Sequence, residues 1–223
     1  MAYLGNDMDQ TRLHQLEDQC IQDCDPPCTA YCPVHVNIRQ MLKEASSGDF
    51  SAAYKTLRKS ILFPEIIART CDEPCKPVCN RASIGGSLRV AGVELAVCQY
   101  GRGEARPAAS LPRKNGTVAV IGGGLCGMTA AHELARKGYS VTLFEAADSL
   151  GGGLRQLPQT QLPAEVLERE TGVLLNLGID LRVGQPFNLD AFPINGYDAV
   201  LLAPGSDGVL LPDLETGADG RLL

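Results

Sequence analysis

Two adjacent stretches, "VNIRQMLKEASSG" from Val36 and "DFSAAYKTLRKSI" from Asp49, carry apolar residues at helical spacing. That periodicity predicts a small helical pair, with Asn37 and Asp49 as caps and Gly48 stopping the first helix. The pattern changes at Thr117. "TVAVIGGG" is a β-branched run ending in glycines, "LCGMTAAHELARKGY" is an Ala-rich helical pattern closing on Gly138, and "SVTLFEA" is a second buried strand. Together they predict a βαβ unit. Further on, "PAEVLERETGVLLNLG" reads as a helix with Pro163 at its start, while "IDLRVG" and "YDAVLLAPGS" read as strands, so the sheet should be mainly parallel. "GRGEARPAASLPRKNG", residues 101–116, has no periodicity and is rich in Gly, Pro and charge. The expected organisation is therefore α+β overall: an all-α unit over 1–100, a linker over 101–116, and an α/β Rossmann-like unit over 117–223.

Composition narrows the partners. The chain has 223 residues, 44% hydrophobic and 21% charged, enough to build real cores in one large or two small domains. Lys and Arg number 20 against 26 Asp and Glu, a formal charge of −6, so the basic footprint that nucleic acid requires is missing. The amino terminus has no cationic start followed by an apolar run, and no apolar stretch is long enough to span a bilayer. A cytoplasmic protein without membrane insertion is expected.

The chain holds 9 cysteines, and without an export signal such thiols serve better as metal ligands or redox groups than as disulfides. Cys20, Cys24, Cys28, Cys32, Cys71, Cys75, Cys79 and Cys98 precede the linker, and only Cys126 follows it. "CDPPCTAYCP" from Cys24 is nearly restated as "CDEPCKPVCN" from Cys71. Pro26, Pro27 and Pro33 interrupt any helix through the first segment, leaving an irregular loop of the kind that wraps a metal cluster. Thiolates are the soft ligands of iron-sulfur clusters, and in two-cluster ferredoxin runs the last cysteine ligates the other cluster. The same crossover here gives Cys20, Cys24 and Cys28 a cluster shared with Cys79. Cys71 and Cys75 then share a second with Cys32 and either Glu94 or Cys98. Structural zinc and scattered buried thiols are the competing readings. Zinc sites usually carry C-x2-C knuckles, whereas the spacing here is x3 throughout and His35 is poorly placed to complete a tetrahedron.

Gly122, Gly124 and Gly127 satisfy G-x-G-x-x-G directly after a strand and at the mouth of a helix. In that context Gly122 allows the tight turn, Gly124 lets backbone approach a pyrophosphate and Gly127 lets helix pack on strand. Glu145, at the end of "VTLFE", is the acid expected to accept from ribose hydroxyls. A second glycine cluster, Gly151 to Gly153, reads either as a flexible turn or as close backbone approach to a flavin; "LLAPGS" from Leu201 is a plain strand-to-turn junction or another cofactor contact. Leu125 and Cys126 fill the loop. Cys126 reads as a thiol activated by the helix dipole or, more simply, as an apolar filler under the loop. His14 and His132 read as surface or packing residues.

The cysteine and glycine constellations together resemble the amino-terminal half of the iron-sulfur flavoproteins that include the glutamate synthase small subunit, the amino-terminal region of dihydropyrimidine dehydrogenase and the large subunit of NADH-dependent ferredoxin:NADP oxidoreductase. The carriers, from about Cys20 onward, are "CDPPCTAYCPVHVNI", "GDFSAAYKTL", "FPEIIARTCDEPCKPVCN", "VIGGGLCGMTAAHELARKGYSVTLFEA", the Gly151 cluster and "YDAVLLAPGS". The resemblance implies two 4Fe-4S clusters ligated as above, with Glu94 rather than Cys98 completing the second. It also implies an FAD held by Gly122, Gly124, Leu125, Cys126, Gly127, Glu145, Gly152 and Gly153. Three departures stand out. Leu125-Cys126 replaces the usual Pro-Ala, "RQLPQTQLP" replaces a stretch near the isoalloxazine, and the NAD(P)H-binding domain of the relatives does not appear before Leu223. The expectation is an oxidoreductase module passing electrons between FAD, ultimately NAD(P)H, and two clusters to a partner subunit or to the missing domain. The alternative is a non-catalytic electron-transfer or scaffold subunit of a larger redox complex.

Overall fold

The computed structural model describes residues 26–104, 111–186 and 196–205, together with Thr11 and Gln15. It divides into two compact units, one of Met1–Ala109 with Leu157–Val173 and one of Ser110–Gln156 with Leu174–Leu223.

The first unit is helical. A single turn, α1 (Pro27–Ala30), is followed by α2 (Ile38–Ser46), α3 (Phe50–Arg58), α4 (Pro64–Thr70) and α5 (Val90–Gly101). The caps are those expected: Asn37 accepts from the Gln40 N–H at 3.1 Å and Asp49 from the Ala52 N–H at 2.9 Å. Between them Gly48, at φ 81°, ends α2 in a left-handed turn that disfavours any side chain. The amphipathic faces of α2 and α3 bury Met41, Leu42, Ala53 and Leu57 against Val93 and Val97 of α5. Each of the larger side chains among them, Met41, Leu42, Leu57, Val93 and Val97, contributes roughly 1.5–3 kcal/mol by leaving water. α5 is apolar nearly all round, which a helix tolerates only when it is central to a core.

Two stretches differ from expectation. Residues 101–104, read as the start of the linker, continue the last helix instead. Gly101 closes α5 so tightly against α3 that a Cβ would meet the Phe50 carbonyl oxygen at 2.1 Å, and Arg102–Glu104 forms a 3-10 turn. The helix expected over 163–178 is an α-helix only over α7 (Ala164–Thr171), because Gly172 is a poor helix former and the chain tightens to 3-10 over Gly172–Leu177. α7 packs on α4 within the first unit, burying Val166, Leu167 and Glu170.

In the second unit, β1 (Thr117–Ile121), α6 (Leu125–Arg136) and β2 (Ser140–Phe144) form the βαβ unit, and β3 (Asp180–Arg182) and β4 (Ala199–Leu202) flank it. The strand order is β3-β2-β1-β4. Every pairing is parallel, with Thr117 opposite Ser140, Val118 opposite Ala199 and Thr142 opposite Asp180. β1 and β2 are buried from their second residue onward, as strands covered on both faces must be. Among the described residues no helix is long and apolar enough to cross a membrane.

Candidate functional site

Folding gathers the cysteines of both repeats around one apolar core. Cys75 and Cys98 lie in it, and Cys28, Cys32 and Cys79 pack against it. Cys28 sits on α1, Cys71 caps the end of α4 and Cys79 precedes the 3-10 turn Asn80–Ser83, so each thiol stands at a helix end or turn rather than along one helix face. None of the described cysteines is joined in a disulfide. Cys20 and Cys24 lie outside the described residues.

The charges acting on these thiols show which groups are neighbours. Burial first, then Glu94 and Cys32, raises the Cys71 pKa, while the Glu73 N–H donates to its Sγ at 3.3 Å and opposes the rise. Burial, then Cys71, Glu73, Glu94 and Cys28, pushes Cys75 up to about 12. Thiols from the first repeat are thus within electrostatic reach of thiols from the second. Cys98 has different company: after burial, its pKa is raised chiefly by Glu170, with Arg102 opposing.

Glu94 is 5% exposed, and burial followed by the negative charge of Glu73 raises its pKa to about 7. No hydrogen bond offsets that cost among the described residues. A buried carboxylate without a donor beside two thiols is a group whose position calls for a ligand. Among the described residues no three His, Cys, Asp or Glu side chains converge on the place of a single metal ion. A four-iron cluster asks for something else: one ligand per iron, hence four ligands spread around a cube. Soft thiols from both repeats, with a buried carboxylate acting on Cys71 and Cys75, fit that group.

In the second unit the glycine motif lies where β1 and β2 end. Gly122, at φ 107°, passes so close to β4 that a Cβ would meet the Ala203 carbonyl oxygen at 2.1 Å, and a Cβ on Gly127 would meet the Gly122 carbonyl oxygen at 1.8 Å. Gly124 is the opposite case. It caps α6, and a Cβ there meets nothing within 4 Å, so this side of the loop is open to a ligand. Glu145 Oε2 accepts from the Gly123 N–H at 2.6 Å and Oε1 from the Ala147 N–H at 2.8 Å, which turns the carboxylate onto the loop.

The later glycines join the same place. The Gly151 N–H donates to the Gly123 carbonyl at 2.8 Å, a Cβ on Gly152 would stand 3.1 Å from Gly124 Cα, and Gly153 faces open space. Leu125 opens α6 and is half-buried. Cys126 is exposed on the first turn of α6, so the reading of it as a buried filler is corrected: the buried residues of that turn are Gly127 and Met128. His132 is buried on α6 with Nδ1 3.2 Å from Glu133 Oε1, a packing position.

A buried ion network in the first unit had no counterpart in the sequence reading. Arg102 donates to both Glu65 and Glu170, the latter at 3.0 Å, and Arg169 Nη2 and Arg69 Nη2 reach Glu65 at 2.7 and 3.1 Å. The Glu65 N–H donates to Glu170 Oε2 at 3.1 Å. No local signal marks these residues, since the partners come from α4, α7 and the turn after α5.

Two family profiles match the chain. One, described as dihydropyrimidine dehydrogenase domain II, 4Fe-4S cluster, covers residues 4–105. The other, an NAD(P)-binding Rossmann-like domain, covers residues 120–177. The NADPH-Fe(3+) oxidoreductase subunit beta of Geobacter sulfurreducens is 27% identical over 215 residues, 92% of this chain and 31% of that protein. The NADP(+)-dependent formate dehydrogenase subunit beta of Moorella thermoacetica is 30% identical over 80% of this chain and 29% of that protein. The glutamate synthase [NADPH] small chain of Mycobacterium tuberculosis is 30% identical over 90% of this chain and 42% of that protein. The chain therefore spans less than half the length of these relatives. Among solved structures, a histamine dehydrogenase from Rhizobium sp. 4-9 overlaps with a TM-score of 0.39 and 16% identity over 81% of this chain and 23% of that chain, too loosely to bear on function. The chain is thus related to the glutamate synthase small chain and to the two NADPH-linked subunits above, and it carries a 4Fe-4S domain of the dihydropyrimidine dehydrogenase type followed by an NAD(P)-binding Rossmann-like domain.

Proposed function

We propose that this chain is the electron-transfer portion of an NAD(P)H-linked iron-sulfur flavoprotein oxidoreductase. In this reading Cys20, Cys24, Cys28 and Cys79 hold one 4Fe-4S cluster. Cys32, Cys71, Cys75 and Glu94 hold a second. Gly122, Gly124, Leu125, Cys126, Gly127, Glu145, Gly152 and Gly153 hold an FAD. The functional limits in this reading are the iron-sulfur domain over 1–100, extended by the turn Arg102–Glu104 and by Leu157–Val173, the linker within 101–116, and the FAD-binding domain over the rest of 117–223. The single observation that carries the reading is the position of Glu94, buried without a hydrogen-bond donor among the described residues and acting on both Cys71 and Cys75.

Such clusters carry single electrons, and a flavin exchanges pairs. The residues supply positioning and exclusion of water. The core behind Cys75 and Cys98 keeps one side of the cysteine segments dry. The open face of Gly124 leaves room for a pyrophosphate at the mouth of α6, where helix N–H groups favour an anion. Glu145 would exchange its hold on the Gly123 N–H for ribose hydroxyls. The approach of Gly152 to Gly124 supports a flavin over a nicotinamide dinucleotide, because it brings a second stretch of bare backbone to the phosphate loop. The subunit-type relatives support a redox partner, either another subunit or an NAD(P)H-binding domain, as the other end of the electron path.

Purification without oxygen, followed by iron, acid-labile sulfide and released-flavin assays, tests this. Clusters and FAD together support it, clusters without flavin leave the electron-wiring alternative, and a colourless zinc protein overturns it.

A further inference from the structure

We propose that Glu73 positions the ligands of the second cluster, its backbone N–H held on Cys71 Sγ and its carboxylate on the first turn of the helix that carries Glu94. The inference rests on the cluster assignment above. Its observations belong to residue 73 itself.

The Glu73 N–H donates to Cys71 Sγ at 3.3 Å, and Glu73 Oε1 accepts from the Ala91 N–H, at the start of α5, at 3.2 Å. One residue thereby ties the cysteine at the end of α4 to the amino end of α5, and Glu94 follows one turn later on that helix. Arg89, the capping position of α5, makes no side-chain capping bond, so the carboxylate of Glu73 supplies an acceptor the helix start otherwise lacks.

The backbone at Glu73 takes φ 52°, a left-handed conformation in which glycine would be relaxed and glutamate is uncommon. Such a conformation persists where the surroundings over-determine it. Here they do so from both ends, through the N–H and through the carboxylate. The carboxylate also acts on Cys71, Cys75 and Glu94, in keeping with its place among them. Its partner Lys76, 3.9 Å away and half-exposed, is screened by solvent and offsets little of that charge.

Cys24-Asp25-Pro26-Pro27-Cys28 aligns with Cys71-Asp72-Glu73-Pro74-Cys75, so Pro26 stands where Glu73 does. Proline has neither an N–H to give a thiolate nor a carboxylate to cap a helix. The clamp therefore belongs to the second repeat alone, and the two clusters differ in their surroundings although their cysteines are spaced alike.

The test is an anaerobic redox titration of the whole chain, followed by electron paramagnetic resonance, for Glu73→Gln and Glu73→Ala beside the unaltered protein. Glu73→Gln keeps the N–H and an oxygen acceptor but removes the charge. Both cluster signals should persist, with reduction of the second favoured roughly tenfold, a rise of about 59 mV for one electron, and the first unmoved. Glu73→Ala, strained at this φ and without the cap, should lose the second signal and keep the first. Two signals with unchanged potentials in Glu73→Gln, or equal shifts of both, would overturn the Glu73 assignment alone. Should Glu73→Ala fail to fold, the Glu73→Gln titration decides. Absence of iron from the unaltered protein overturns the cluster assignment itself.

Discussion

Arg102 Nη2 donates to Glu170 Oε1 at 3.0 Å, joining residues from the turn after α5 and from α7 inside the first unit. Both carboxylates facing Arg102, those of Glu65 and Glu170, are buried; Glu65 is shared with Arg69 and Arg169, whereas Arg102 is the cation that reaches Glu170. Arg102→Leu leaves the buried Glu170 carboxylate without its cation, while Glu65 keeps Arg69 and Arg169, and should destabilise the first unit by about 3–5 kcal/mol. Guanidinium unfolding followed by circular dichroism measures it. A loss below about 1 kcal/mol would mean that solvent screens the network as it screens surface pairs.

Acid should loosen the same network. Burial alone would raise the Glu65 pKa, but Arg102 and Arg169, then Arg69, outweigh it and hold the carboxyl below its ordinary 4.5. A depressed folded-state pKa contributes stability that is present above the unfolded value and is lost as pH falls through the folded value. Stability should therefore decline as the pH is lowered from 4.5, and Glu65→Gln should flatten that part of the profile. Glu170 shifts the other way, because its burial outweighs Arg102, so its share is lost as pH rises above 4.5 instead. Thermal unfolding midpoints across this range separate the two slopes.

Cys79→Ser tests the crossover between repeats. If Cys79 completes the cluster of Cys20, Cys24 and Cys28, the substitution disturbs that cluster's magnetic resonance signal and spares the one that includes Cys71 and Cys75. The opposite pattern would place Cys79 with its own repeat.

The glycine loop gives a paired prediction. Gly124→Val adds bulk on the open side, so the unfolding temperature should hold while dinucleotide affinity falls at least tenfold, as a calorimetric titration would show. Gly127→Ala drives a Cβ into the Gly122 carbonyl, so stability should fall as well, by about 1–3 kcal/mol for an overpacked contact. If both variants fold and bind alike, the open side of Gly124 is not where the ligand lies.

What the sequence made legible was local. The Asn37 and Asp49 caps and the Gly122 turn each depend on residues a few positions apart, so period and spacing suffice to read them. The network of Glu65, Arg102 and Glu170 depends on residues from distant stretches, each ordinary where it stands. Arg102 falls inside a stretch whose Gly-Pro composition suggests a linker, and Glu170 lies on a helix bounded by strands, where membership of the sheet unit is the natural assumption. Glu73 was silent for another reason: nothing in a glutamate announces a left-handed backbone. Cys126 was misjudged because free cysteines are so often buried, whereas the start of α6 faces outward here.

Because Leu157–Val173 folds with Met1–Ala109, the helical unit is discontinuous along the chain. A truncation in the Gly-Pro-rich stretch near residue 110, the obvious place to cut, would strip Glu170 and Arg169 from Glu65 and Arg102. Expressed alone, such a fragment needs the severed helix supplied as a separate peptide, which makes this protein a candidate for split complementation and a poor donor of a freely portable cluster cassette.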